Sequence, residues 1–219
     1  MMKLSLLHYS LLVFLFNALV SVDAQERSNL REIVKFPEKI DPACGDRLAR
    51  IYDECGDQKV LFDRALQRAR NEQKTLLISY GAEWCIWCHV FEKYIHGQVG
   101  RFEYNLEGDD VALREKNVTN QVSLDAQSLN SFVADNIIVL HIESESAPGS
   151  YEVLEKTGAI DQYDGWLPLI FTVDEQGNFA KKLDHDKVEV RADGLFYWYR
   201  GYDRTVLLSE LKSMVEAAR

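Results

Sequence analysis

The feature that most constrains this chain is a pair of cysteines set between an apolar run and an amphipathic segment. Residues 75–80 form a short, mostly apolar run, and the sequence Trp-Cys-Ile-Trp-Cys follows at 84–88. Gly97 then favours the end of a helix. Between them, apolar residues recur at helical spacing: Trp87, Val90, Phe91, Tyr94 and Ile95. The pattern predicts a buried strand, a turn that carries both cysteines, and a helix.

The spacing of Cys85 and Cys88 places both sulfurs on the first turn of that helix, within reach of a short-range disulfide. A helix N-terminus carries unpaired N–H groups and about half a positive charge, which favours a thiolate. Such positions lower a cysteine pKa from about 8.5 to between about 3.5 and 7.5. Cys85, the outermost, is therefore the predicted nucleophile, and Cys88 the resolving cysteine. His89 either supports the Cys85 thiolate from one turn along the helix or is a partly exposed helix residue.

The first 24 residues have the pattern of a signal peptide. Lys3 precedes a mostly apolar stretch from Leu4 to Val20, and Val22-Asp23-Ala24 supplies a small-residue cleavage pattern, which predicts a mature start near Gln25. An uncleaved membrane anchor is the alternative reading. We therefore expect a secreted or periplasmic protein, or one of the ER lumen in a eukaryote, which makes no membrane contact once the signal is cleaved.

Composition narrows the class of protein further. The chain has 219 residues, 47% of them hydrophobic and 27% charged, which is typical of a globular protein. Its net charge of -10 argues against a nucleic-acid partner, since there is no basic footprint to release counterions. Residues 25–56 look like an N-terminal extension, in which Cys44 and Cys55 are spaced for a local disulfide. Metal ligation by this pair would need two more ligands that the segment does not supply.

The rest of the chain alternates helical and strand patterns. Helices are predicted at 57–71, behind the N-cap Asp57, at 151–158, and near the C-terminus behind Asp203. Strands are predicted at 136–142, at 169–173, from Phe179 onward and at 195–199. The polar stretch at 98–134 is interpreted as an insertion that ends in a short helix at 126–134.

These residues together resemble a known family. Ala82-Glu83-Trp84-Cys85-x-x-Cys88 after an apolar strand looks like the active-site segment of thioredoxin-fold proteins, and Trp166-Leu167-Pro168 resembles their cis-proline segment. The resemblance covers roughly residues 57–219, interrupted by the insertion. It implies an α/β thioredoxin-like fold: a central mixed sheet flanked by helices, here with an N-terminal extension and an insertion after the active-site helix.

The resemblance also implies roles for particular residues. Pro168 would pack against the cysteine pair, Leu167 would offer its backbone to a substrate peptide, and Trp84 would shield the pair. Two positions depart from the family pattern. Ser79 stands where thioredoxins commonly bury an acidic residue, so that a group such as Glu83, or solvent, would have to move protons. The dipeptide between the cysteines tunes the reduction potential in this family, and Ile86-Trp87 differs from the Gly-Pro, Gly-His and Pro-His pairs of its well-known members.

The expected function is that of a thiol–disulfide oxidoreductase outside the cytosol, which needs neither cofactor nor metal. Its expected partners are substrate proteins with disulfides or dithiols and a redox partner protein. Reductase, oxidase and isomerase activities stay open. Two other classes of function are alternatives. Cys85-x-x-Cys88-His89 also fits c-type haem attachment, and the aromatic run at 196–199, with Tyr202, fits a redox-inert peptide-binding module.

Overall fold

The computed structural model describes residues 30–41, 43–45, 50–105, 112–119, 122–193 and 197–219. The predicted signal peptide at 1–24 therefore lies outside the described residues. Within the described ranges, no helix is both long enough and apolar enough to span a membrane.

The described residues form strands and helices in the following chain order. They are β1 (Lys35–Phe36), α1 (Gln58–Glu72), β2 (Thr75–Gly81), α2 (Ile86–Ile95), β3 (Val99–Asn105), β4 (Ala112–Thr119), α3 (Leu124–Asn136), β5 (Ile137–Glu143), α4 (Ser150–Thr157), a short 3-10 helix (Ala159–Gln162), β6 (Leu169–Val173), β7 (Phe179–Lys182), α5 (His185–Val188), β8 (Glu189–Asp193), β9 (Tyr197–Tyr202) and α6 (Arg204–Ala217).

The central sheet has five strands in the order β1-β5-β2-β6-β7. β1 and β2 both run parallel to β5, whereas β6 runs antiparallel to β2, and β7 antiparallel to β6. Parallel neighbours need a crossover connection, and α3 precedes β5 in this role. The structure thus confirms an α/β chain with a central mixed sheet flanked by helices.

Strand alternation distributes the core over the two faces of this sheet. Successive side chains of a strand point to opposite faces, so Leu77 packs on one side with α2, α3 and α6, whereas Leu76 and Ile78 pack on the other side with α1 and α4. Helix α1 begins after its predicted N-cap, Asp57, whose carboxylate accepts the N–H groups of Lys59 and Val60. The result is a sheet between two helical layers.

The stretch at 98–134 differs from its predicted form. It contains two strands, β3 and β4, which join β9 and β8 in a second, antiparallel sheet of order β4-β3-β9-β8, and its helix α3 begins at Leu124. Leu129 and Val133 of that helix lie in the main core. The strands were missed because their sequence is polar and lacks a buried-strand pattern, and because β3 pairs with β9, a partner almost one hundred residues away.

Two further features lie elsewhere than the sequence indicated. The strand predicted at 195–199 is β9, which belongs to the second sheet rather than the central one; Leu195 and Phe196 lie outside the described residues. The extension at 25–56 also contributes β1, an edge strand of the central sheet. A strand of two residues is too short to show a periodicity, so only its pairing with β5 reveals it.

Candidate functional site

The two cysteines of the motif form a disulfide at the start of α2. The Cα atoms of Cys85 and Cys88 lie 5.3 Å apart. Cys85 is the N-cap residue of the helix, and its Sγ accepts the N–H of Cys88 at 3.3 Å. Cys85 is 3% exposed and Cys88 is fully buried. The helix N-terminus thus faces the outer sulfur, which is the geometry that favours a Cys85 thiolate in the reduced protein.

The disulfide is covered by the N-terminal extension. Ile51 and Tyr52 form one buried cluster with Ala82 and both cysteines of the pair. The carboxylate of Glu83 fastens this cover, because its Oε2 accepts the backbone N–H groups of Ile51 at 3.0 Å and Tyr52 at 3.1 Å. Glu83 therefore anchors the extension beside the cysteines.

Trp84 lies outside this cover. Its side chain is 65% exposed, and its indole N–H donates to the carboxylate of Glu145 at 3.0 Å. Ile51 and Tyr52 belong to the buried cluster of the cysteine pair, and the shielding role of Trp84 stays a prediction. The residues that cover the disulfide were missed by sequence reasoning because they lie more than 30 residues before it.

A buried polar group lies beside Cys88. The hydroxyl of Tyr52 forms a hydrogen bond of 3.0 Å with Ser79 Oγ. Ser79 is the residue that stands where thioredoxins commonly bury an acid. Burial raises the pKa of Tyr52 far above its ordinary value, so the hydroxyl keeps its proton. A Cβ built on Gly81 would lie 2.5 Å from this hydroxyl and 2.6 Å from Cys88 Sγ. Glycine is therefore required here, because both atoms approach its backbone.

A second polar group, on α2 and β5, lies next to Tyr52. His141 pairs in register with Ser79, and its ring packs edge-on against the ring of Tyr52, with the two ring centroids 5.3 Å apart. Its Nε2 lies 3.1 Å from Glu92 Oε2, while Lys35 Nζ and His96 Nε2 lie 2.6 and 3.0 Å from Glu92 Oε1. Burial alone would raise the pKa of Glu92, but His141 and His96 outweigh it and hold the pKa well below its ordinary value.

This arrangement predicts that Glu92→Gln destabilises the protein at neutral pH. A lowered folded-state pKa makes the contribution of Glu92 present above its ordinary pKa of 4.5 and lost as the pH falls below it. We expect the free energy of unfolding at pH 7 to fall by about 2–4 kcal/mol, because Lys35, His96 and the buried His141 lose the charged carboxylate that they contact. Urea denaturation between pH 7 and 3 measures this, and the variant should lose less stability on acidification than the parent.

The matched control is Glu38→Gln, since Glu38 is half-exposed and pairs with Arg64 at the surface. Exposed pairs contribute about 0–1 kcal/mol, so this variant should follow the parent across the pH range. Equal stability of Glu92→Gln and Glu38→Gln at pH 7 would contradict the prediction.

The proline segment lies beside the disulfide. The Leu167–Pro168 peptide bond is cis, and Leu167 packs against the cluster that contains Cys85 and Cys88. Trp87, between the two cysteines, packs against the same cluster and makes an edge contact with Tyr202 of β9 at 5.5 Å. The tertiary structure thus brings Leu167 against the cluster of the cysteine pair, from which it is about 80 residues away in the sequence.

The other predicted residues lie around this centre. His89 Nε2 lies 2.6 Å from the backbone oxygen of Glu83. Tyr202 is buried against α2, whereas residues 197–199 lie in β9 and Phe196 lies outside the described residues.

The second pair of cysteines, Cys44 and Cys55, also forms a disulfide, with Cα atoms 5.8 Å apart. Asp53 approaches this disulfide and accepts the N–H groups of Cys55 and Gly56 at 3.0 Å each. The disulfide thus closes the loop that contains Ile51 and Tyr52.

The site thus consists of a cysteine pair at the N-terminus of α2, with Leu167 packed against its cluster. No protein-family model matches the chain, and no curated protein matches it either.

Proposed function

We propose that this chain has a thioredoxin-like fold and acts outside the cytosol as a thiol–disulfide oxidoreductase. The observation that carries the proposal is the Cys85–Cys88 disulfide at the N-cap of α2, with the cis Leu167–Pro168 bond packed beside it. Disulfides persist in oxidising compartments, so the Cys44–Cys55 disulfide, which takes no part in the proposed exchange, supports a location outside the cytosol.

The order and direction of the strands support the fold assignment. Strands β1, β5 and β2 run parallel to one another, β6 runs antiparallel to β2, and β7 runs antiparallel to β6. The cysteines lie just after the central strand β2. Pro168 precedes β6, which runs antiparallel to β2, so the proline and the cysteines lie at the same end of these two neighbouring strands. This is the arrangement that the resemblance implies for residues 57–219, with β1 added from the extension.

The exchange proceeds in two steps when the protein starts with reduced cysteines. The Cys85 thiolate attacks one sulfur of a substrate disulfide, which forms a mixed disulfide and releases one substrate thiolate. The Cys88 thiolate then attacks Cys85 Sγ, which forms the Cys85–Cys88 disulfide and releases the second substrate thiolate. Two electrons pass to the substrate, and a dithiol redox partner restores the cysteines; the reverse path oxidises a dithiol.

Haem attachment is less well supported than exchange. It would bond both sulfurs to haem and use His89 as an axial ligand. The motif instead follows the buried strand β2, and His89 Nε2 lies 2.6 Å from the backbone oxygen of Glu83. The visible absorption spectrum of the purified protein separates the two functions.

Trapping of substrates tests the proposed roles of the cysteines. We expect Cys88→Ala to accumulate mixed disulfides with partner proteins through Cys85, because the resolving thiolate is missing. Cys85→Ala should trap none, because the remaining thiol, that of Cys88, lies three residues beyond the N-cap position at which the helix N-terminus stabilises a thiolate. Non-reducing gels and mass spectrometry of the linked peptides measure both outcomes.

The control for trapping is Cys44→Ala with Cys55→Ala, which removes the other disulfide and leaves the active pair intact. These changes should give no mixed disulfides of their own. Equal trapping by Cys88→Ala and Cys85→Ala would overturn the assigned roles.

A further inference from the structure

A groove of about 750 Å³ opens beside the proline segment. Pro168, Leu169 and Leu183 give it an apolar floor. Trp87 and Leu167 also line it, and both of these pack against the cluster that holds the Cys85–Cys88 disulfide. The groove therefore adjoins the cluster that contains the proposed site of exchange.

The rim of this groove is acidic. Four carboxylates line it, against two cations; the carboxylates are those of Asp164, Asp184, Asp186 and Glu189, and the cations are Lys182 and Arg191. The guanidinium of Arg191 donates to Glu189 Oε2 at 2.8 Å, so these two charges offset each other. Within the described ranges, Asp164 and Asp186 form no ion pair. Within the described ranges Asp184 and Lys182 form no ion pair either, so three unpaired carboxylates line the groove with one unpaired lysine, and the rim attracts a cation from outside.

An exposed tryptophan stands next to one of these carboxylates. Trp166 lines the groove and is 80% exposed, and its backbone N–H donates to Asp164 Oδ1 at 3.2 Å. A tryptophan face attracts lysine and arginine side chains, and a carboxylate beside it adds charge attraction. Tryptophan is also among the residues that contribute most to binding at protein interfaces.

We propose that this groove binds a polypeptide segment of the substrate that carries a lysine or arginine and an apolar side chain near its reactive cysteine. The apolar side chain covers the floor at Leu183, and the cation lies against Trp166 between Asp164 and Asp186. This selectivity rests on the proposed function, since it makes the groove the substrate-docking surface of the exchange site.

Binding of synthetic peptides to the oxidised full chain tests the selectivity separately from catalysis. Two peptides carry serine in place of cysteine, an adjacent leucine, and either two lysines or two glutamates. We expect the lysine peptide to bind about tenfold more tightly at low salt, with a smaller ratio at 0.5 M NaCl because salt screens exposed charges. Calorimetric titration measures both dissociation constants.

Variants locate this preference in the groove. Asp164→Asn with Asp186→Asn should reduce the lysine preference to about threefold or less, since the rim loses two carboxylates. The matched control, Asp63→Asn with Glu175→Gln, removes the same charge at exposed positions that do not line the groove and should keep the full preference. Trp166→Ala should weaken binding of the lysine peptide about tenfold.

Several outcomes would overturn the inference. These are equal binding of the two peptides, preference for the glutamate peptide, no binding of either, an equal effect of the groove and control variants, or a groove occupied by a second copy of the chain, seen as dimers in sedimentation. The cysteine-containing forms of the peptides test exchange itself. Exchange at equal rates with both peptides would support the proposed oxidoreductase activity and contradict the lysine preference. Binding of the lysine peptide without exchange would contradict the oxidoreductase activity only.

Discussion

In the reduced protein at pH 6, iodoacetamide is expected to alkylate Cys85 at least about 100-fold faster than Cys88. Cys85 caps α2, and its Sγ faces the N–H of Cys88, so the helix N-terminus stabilises the thiolate that reacts. Cys85 is 3% exposed and Cys88 is 0% exposed, so the expected difference comes from the stability of the two thiolates rather than from access. Cys88 lies beside Tyr52 and the backbone of Gly81, three residues beyond the position that the helix N-terminus stabilises. Mass spectrometry of quenched time points measures the two rates.

Single variants make this comparison clean. Cys88→Ser leaves Cys85 as the only thiol of the pair, and Cys85→Ser leaves only Cys88, while Cys44 and Cys55 are kept as a disulfide by selective reduction. Glutathione alkylated in the same tube gives the rate of an unperturbed thiol. A Cys85 rate equal to that of glutathione at pH 6 would contradict a stabilised thiolate and, with it, the assignment of Cys85 as nucleophile.

The second large effect is expected from Tyr52→Ala, which should lower the free energy of unfolding by about 3–5 kcal/mol. Tyr52 is among the largest fully buried side chains and contacts both the cysteine cluster and the ring of His141. Its loss leaves a cavity and removes the hydrogen bond to Ser79. Urea denaturation of the oxidised protein measures the change. The same cavity should expose the Cys85–Cys88 disulfide, so dithiothreitol should reduce it faster than in the parent.

Tyr52→Phe is the matched variant, because it keeps the ring and removes only the hydroxyl. It should cost about 1–2 kcal/mol, the penalty of leaving Ser79 Oγ without this partner. Its rate of reduction by dithiothreitol should stay close to that of the parent, since the cover remains. If Tyr52→Ala and Tyr52→Phe lost the same stability, packing of the ring would not be what holds the cover in place.

The local elements of the site were predictable from the sequence because they depend on neighbouring residues. The apolar run at 75–80 became β2, and the spacing of Val90, Phe91 and Tyr94 became the buried face of α2. The cap at Asp57 and the strand at 169–173 followed from equally local patterns. A hydrophobic period or a capping residue acts within one element, so a single sequence is enough to read it.

The surroundings of the cysteines were not predictable in the same way. Nothing in the sequence near Tyr52 marks it as the residue that lies beside Cys88. The contact between Glu92 and His141 likewise joins two residues that are 49 positions apart. The strands β3 and β4 were missed for a related reason, since β4 pairs with β3, and β3 pairs with β9, a strand almost one hundred residues away in the sequence. Contacts of this kind are decided by packing, which a periodicity does not record.

The amino-acid sequence by itself therefore determined where the sulfurs lie: on the first turn of a helix behind a buried strand, three residues apart. Only the tertiary structure decided what surrounds them, namely the cover of Ile51 and Tyr52, the buried carboxylate of Glu92, and the groove beside Pro168. The physical reason is distance along the chain. Helix and strand formation depends on residues a few positions apart, whereas burial and charge pairing arise when segments far apart in sequence pack together.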